Sequence, residues 1–122
     1  MSEKNPFEEK IFNFDDRLIR FAGECIFFTR SLEKSFENEY YKNQLIRSSG
    51  SSSLNFGESL GTNSDKDLLF KLTLVAKELK ESRNSLKILN YINEGDQNFR
   101  ISLLKEVEEL IAITSKMIIN KK

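Results

Sequence analysis

From Ile11 to Leu32 the apolar residues fall at alternating steps of three and four: Ile11, Phe14, Leu18, Phe21, Cys25, Phe28 and Leu32. That spacing lines one face of an α-helix. A second row, Phe12, Ile19 and Ile26, runs beside it every seven residues, so the apolar face is wider than one partner helix would cover. A later stripe runs Leu68, Leu72, Val75, Leu79, Ser82, Leu86 and Leu89. Ser64, followed three residues on by Asp67, resembles a capping box, and Asp65 and Asp67 suit the positive end of the helix dipole. Asn93-Glu94-Gly95 is a stop signal, with Gly95 able to take a left-handed cap. Asp96 can cap a last helix with the stripe Leu103, Val107, Leu110, Thr114 and Met117 and a second row Leu104, Ile111 and Ile118. Lys121 and Lys122 suit its negative end.

Between these patterns lies the serine-dense stretch "IRSSGSSSLNFGESLG", residues 46–61. As a free linker it would put a loop of about fifteen residues inside a compact domain, which is uncommon. The seven-residue phase continues through it instead: Tyr41, Ser48 and Asn55 form one row, Leu45, Ser52 and Ser59 the other, with Phe56 beside them. Each Ser costs roughly 0.5 kcal/mol and each Gly roughly 1 kcal/mol relative to Ala in a helix. Such a helix depends on tertiary packing, and its small side chains allow a neighbouring backbone to come close. The expected fold is therefore all-α: an antiparallel up-down-up-down four-helix bundle with helices at roughly 8–34, 38–60, 65–93 and 97–120. Residues 1–122 are expected to form a single domain, with 1–7 and 121–122 frayed. An open pair of α-hairpins is the alternative arrangement.

Composition narrows the chemistry. The chain has 122 residues, a size for one domain with a real core. There is no histidine, so Ser–His and Cys–His nucleophile pairs and imidazole metal sites are out of reach. A di-iron bundle site would need Glu-x-x-His pairs. One cysteine, Cys25, excludes an intramolecular disulfide and fits a reducing, cytoplasmic setting. In the helix-one stripe it reads as a small core hydrophobe rather than a redox centre. The apolar runs are too short to span a membrane, no signal-like start is seen, and Glu8, Glu9, Asp15 and Asp16 disfavour anionic lipid. Gly57 and Gly61 lack the Walker spacing and its Lys-Ser/Thr. No catalytic residue, cofactor site or metal site can be assembled, so the expectation is a protein that is not an enzyme. Formal net charge is zero, so nucleic-acid binding would require a local basic patch.

The segment "QLIRSSGSSSLNFGESLGTNSDKDLLFKLTLVAKELKESRNSLKIL" (44–89) resembles a bacterial family. This family comprises the four-helix-bundle proteins encoded within intervening sequences of 23S ribosomal RNA genes, together with stand-alone relatives. The family reads "QLIRSSTSIGANYAEAxGA" followed by "SxxDFxxKxxIALKExxET". The matches include Gln44, Leu45, Ile46, Arg47, Ser48, Ser49, Asn55, Glu58 and Gly61, then Ser64, Asp67, Lys71, Lys77, Glu78 and Glu81. "DRLIRFAGECIFF" (16–28) and "LLKEVEELIAITSKMI" (103–118) resemble the family's ends, so the likeness covers nearly the whole chain. "SSSLNFGES" and Arg83-Asn84-Ser85 depart from it, making the helix 2–3 contact smaller and more polar. The resemblance implies a homopentamer around a central channel. A related branch comprises accessory proteins of diversity-generating retroelements, which associate with reverse transcriptase and nucleic acid.

Two groups of side chains are candidates for function. Asn55, Glu58 and Glu81, at family positions on two helices, are expected to form a semi-buried polar network that fixes helix register. Arg47, Lys66, Lys71, Lys77 and Lys80, with Arg83 and Lys87 alongside, are candidate phosphate contacts. The plainer reading of these cations is a solvated face with pairs such as Lys77–Glu81. The expected partners are further copies of the chain and RNA or a nucleic-acid-processing protein, with no membrane. The alternative is a protein–protein adaptor that touches no nucleic acid.

Overall fold

The computed structural model describes residues 6–122, with side chains described from Asn13 onward. The expectations for the side chains of Glu8, Glu9, Ile11 and Phe12, and for fraying over residues 1–5, lie outside those described; Pro6 and Phe7, expected to fray, already belong to the first helix, and Lys121 still belongs to the last. Four helices follow one another: α1 (Pro6–Thr29), α2 (Phe36–Ser59), α3 (Asp65–Tyr91) and α4 (Gln97–Lys121). Each packs on its sequence neighbours, and α1 also meets α4, closing a four-sided bundle. Cross-helix pairs give the directions. Phe14 meets Phe56, and Ser48 meets Ser82. Arg83 meets Glu108, and Phe28 meets Phe99. A second pair at each seam, Cys25 with Ser49, Glu58 with Lys71, Asp65 with Lys121 and Arg17 with Glu106, shows one number rising as the other falls, so all neighbours are antiparallel.

The seams read from spacing are the core. Phe14, Leu18, Phe21, Cys25 and Phe28 of α1 are buried, as are Leu72, Val75, Leu79, Leu86 and Leu89 of α3 and Leu103, Val107 and Leu110 of α4. The serine-dense stretch is helical from Ile46 through Ser59. Ser48, Ser49, Ser52 and Ser59 are buried on its inner face with only Leu45 and Phe56 as apolar company. Their hydroxyls bond carbonyls of their own helix: Ser52 donates to Ser49 O at 2.7 Å and Ser59 to Phe56 O at 2.6 Å. A buried hydroxyl satisfied in this way carries little desolvation penalty.

The caps explain the ends. Ser35, Ser64 and Asp96 accept from Asn38 N, Asp67 N and Phe99 N, so each starts its helix. The main boundary correction is at α1, which stops at Thr29 rather than 34. The N–H groups of Arg30, Ser31 and Leu32 reach only three residues back, tightening the exit. Ser31 Oγ then accepts from Asp96 N at 2.9 Å, tying that exit to the start of α4. α2 starts two residues earlier than expected, at Phe36; α3 ends at Tyr91, and α4 runs to Lys121. Gly95 has φ +80°, and a Cβ there would lie 2.7 Å from the Phe28 ring, so both backbone and space demand glycine.

Arg100 secures the same turn. It is only 2% exposed, and among the described residues no carboxylate lies within 4.0 Å of it. Its guanidinium donates to Asn90 Oδ1, Asn93 Oδ1, Glu94 O and Gly95 O over 2.6–3.2 Å. These acceptors surround the carbonyl end of α3, where partial negative charge collects.

Candidate functional site

On the outside of the α3–α4 pair, small residues leave room between the helices. Thr73, Ala76, Lys77, Lys80 and Asn84 recur every three or four residues along one side of α3. Ser115, Ile118 and Ile119 of α4 and Lys122 just past its end face them, and together with Glu81 they line a groove of about 810 Å³. Ala76 is buried, Ile118 is half-buried and Ile119 is 70% exposed, so the cleft has an apolar side as well as a cationic one. Arg83 also lines it but is held by Glu108 at 3.3 Å. Among the described residues, no carboxylate lies within 4.0 Å of Lys77, Lys80 or Lys122. The Lys77–Glu81 pair considered from sequence does not form, because Glu81 turns to Arg47.

The structure divides the five candidate phosphate contacts. Lys77 and Lys80 share the groove. Arg47 is occupied by Glu78 at 3.0 Å and by Glu81. Hydrogen bonding to Glu81 raises its pKa above the ordinary guanidinium value. Lys71 is bonded to Glu58 across α2 and α3. Lys66 sits exposed in the first turn of α3, outside the groove lining.

Asn55, Glu58 and Glu81 do not form one network. Asn55 Nδ2 donates to Ser51 O at 2.9 Å within α2, Glu58 meets Lys71, and Glu81 meets Arg47. The three point to separate partners because they lie at different heights along the α2–α3 seam. The seam is tied instead by Ser48 Oγ and Ser82 Oγ, 2.6 Å apart and wholly buried, and by the buried Glu78. Ser82 Oγ also donates to Glu78 O at 3.0 Å. On the opposite side of the bundle, Arg17 spans α1 to α4 by a forked pair with Glu106 at 2.7 and 3.2 Å.

Sequence reading missed Lys122 as a groove residue, and it missed Arg100 and Glu78 as structural ones. Arg100 extends the Leu103–Val107–Leu110 stripe by one step, so its inward position was visible in the spacing. Its charge concealed that position. Cys25 is fully buried, and burial pushes its thiol up to about 12, the neighbouring Ser49 hydroxyl acting the other way. A thiol so held is a packing group. Among the described residues no group of three or more metal-ligating side chains forms, and no helix is long and apolar enough to cross a membrane.

The outer faces of α1 and α2 differ from the groove. Ile19, Gly23 and Ile26 share one face of α1, and Gly50, Leu54 and Gly57 share one face of α2, with the same i, i+4, i+7 spacing. Ile19 is 55% exposed and Leu54 70%. A Cβ added at Gly23, Gly50 or Gly57 would meet nothing within 4 Å among the described residues.

The family described as 23S rRNA-intervening sequence protein matches residues 15–116. Among solved structures, the chain is similar to a protein of unknown function from the S23 ribosomal protein family of Bacteroides thetaiotaomicron VPI-5482. The two are 20% identical with a TM-score of 0.75, over 86% of this chain and 97% of that one. At this identity the likeness concerns the fold. No curated protein matches the chain.

Proposed function

We propose, from the premise that this chain belongs to the family of 23S rRNA-intervening sequence proteins, that it is a non-catalytic helical scaffold acting as a homo-oligomer. The observation that carries this reading is the complementary pair of outer rows. Ile19-Gly23-Ile26 presents two knobs about a gap, and Gly50-Leu54-Gly57 presents two gaps about a knob. Each mid-helix glycine costs about 1 kcal/mol relative to alanine, and among the described residues nothing lies within 4 Å of the space it leaves. A second copy that seats its isoleucines on these glycines would use it. Such a contact joins unlike faces of successive copies, and an interface of that kind closes into a ring when its rotation divides a full turn and runs into an open filament when it does not. The pentamer implied by resemblance is a ring of this type.

Light scattering on the purified chain tests the proposal. The expected mass is about five times the 14.2 kDa of one chain. Ile19→Glu with Ile26→Glu, and separately Gly50→Leu with Gly57→Leu, should each reduce it to one chain while circular dichroism stays helical. A wild-type mass of one chain, or an assembly unaffected by both pairs, sinks the reading. The absorbance ratio of the same sample reports any co-purified nucleic acid.

RNA or a nucleic-acid-processing protein as the partner is the second reading. It is favoured by the three lysines of the α3–α4 groove and weakened by the carboxylates already holding Arg47 and Lys71.

A further inference from the structure

We infer that the groove between α3 and the C-terminal half of α4 is the docking site for an acidic, amphipathic α-helix of a partner protein. The inference stands apart from self-association, since the groove lies on the opposite side of the bundle from the α1–α2 rows.

Three features of the groove point to that occupant. Lys77 and Lys80 on one wall and Lys122 on the other have no carboxylate within 4.0 Å among the described residues; Glu81, the one acid in the lining, is turned to Arg47, and Arg83 is held by Glu108, so the three lysines can receive acids from outside. The lysines are separated by an apolar strip of Ala76, Ile118 and Ile119, against which a phosphodiester backbone has nothing to bury. No aromatic ring lines the cleft, so an unpaired base would find no stacking platform. An amphipathic helix supplies both halves of the match. Its small apolar stripe covers the isoleucines, and acids flanking that stripe reach Lys77 and Lys80, whose methylene stems pack beside it. The size agrees as well: about 810 Å³ accommodates roughly two turns of a helix about 10 Å across. The outer rows of α1 and α2 carry no charge, so a second copy presenting those rows does not complement the lysines.

The test is fluorescence anisotropy on the full chain with three labelled probes. They are a designed sixteen-residue helix with leucines at i, i+3, i+7 flanked by glutamates, the same peptide with lysine for every glutamate, and a short RNA duplex. The acidic peptide should bind, the lysine peptide should not, and added salt should weaken the complex. Lys77→Glu with Lys80→Glu, or Ile119→Asp alone, should weaken binding at least tenfold. Lys66→Glu, on the same helix but outside the groove, should change it less than twofold. No binding of the acidic peptide overturns the inference. So does an equal loss from Lys66→Glu, which would indicate unspecific charge attraction, or RNA that binds more tightly than the peptide and is lost with Lys77→Glu/Lys80→Glu. Repeating the titration with the Ile19→Glu/Ile26→Glu chain separates the two proposals, because a chain that no longer assembles should still bind the peptide.

Discussion

α1 and α2 are antiparallel neighbours of equal length that face the same core with opposite chemistry. Over its described side chains, α1 buries three phenylalanines, a leucine and a cysteine, with Thr29 at its end, whereas α2 buries four serines around one leucine and one phenylalanine, with Asn38 at its start. α1 carries its own hydrophobic driving force. α2 does not, and its helix is maintained by a serine cap, by hydroxyls that bond their own carbonyls and by two neighbours that pack closely. Two helices can therefore be equally regular for different reasons, one stabilised by what it buries and the other by how near its small side chains let α3 come. Ser48 and Ser82 meet at 2.6 Å, a distance that larger side chains at those positions would prevent.

The largest expected effects test that contrast in its two directions. Phe21→Ala removes a fully buried ring from α1 and should cost about 3–5 kcal/mol, lost transfer energy plus cavity. Ser52→Ala, the corresponding shrinkage in α2, should be close to neutral, because the lost hydroxyl bonds only its own helix. Growth reverses the order: Ser52→Leu should cost about 1–3 kcal/mol by overpacking a site with no free space. Urea titrations of the three variants check this. A Ser52→Leu chain as stable as wild type would mean that α2 sits less close to its neighbours than the structure has it.

A smaller effect isolates the contact between α2 and α3. Ser48→Ala leaves Ser82 without its cross-helix partner, and Ser82→Ala does the converse. Each should cost about 1 kcal/mol, while the double variant should cost less than the sum, since removing both partners of a buried hydrogen bond is nearly neutral. A double-mutant cycle with no coupling would assign the closeness of the seam to backbone packing alone.

Much of the bundle was legible because the period never breaks. From Phe14 onward the stripe of α1 turns inward, as do those of α3 and α4, with Leu32, Leu68 and Met117 only partly buried at their ends, and α2 was readable through its phase despite serine propensities that argue against a helix. The early end of α1 was not legible. It depends on Ser31 meeting Asp96, a contact 65 residues apart, and no local signal encodes that distance. The candidate site shows the same division. Lys77 and Lys80 share a face by their spacing. That Arg47 and Lys71 are held by acids 31 and 13 residues away follows only from how α2 lies on α3. Arg100 was passed over because a charged side chain at a stripe position reads as solvent-facing, whereas here it serves the turn behind it.

The smallest effect concerns a place where α1 and α2 meet through polar atoms. Cys25 of α1 lies fully buried beside Ser49 of α2, and burial raises its thiol from 9.0 to about 12. A group whose folded pKa is raised contributes stability that is fully present below the unfolded value and is lost as pH climbs toward the folded one. Between about 9 and about 12 the unfolded chain therefore sheds the proton first, and stability falls with pH. Half a unit above the unfolded value the loss is about 0.8 kcal/mol. Cys25→Ala should flatten the fall by that amount when unfolding midpoints are compared at neutral and alkaline pH, the constant cost of its smaller side chain cancelling in the comparison. The native thiol should also resist a disulfide reagent at neutral pH until the chain is unfolded. Rapid labelling of the folded protein would mean that α2 swings away from α1 at the serine face, and the close packing that distinguishes these two helices would then be intermittent.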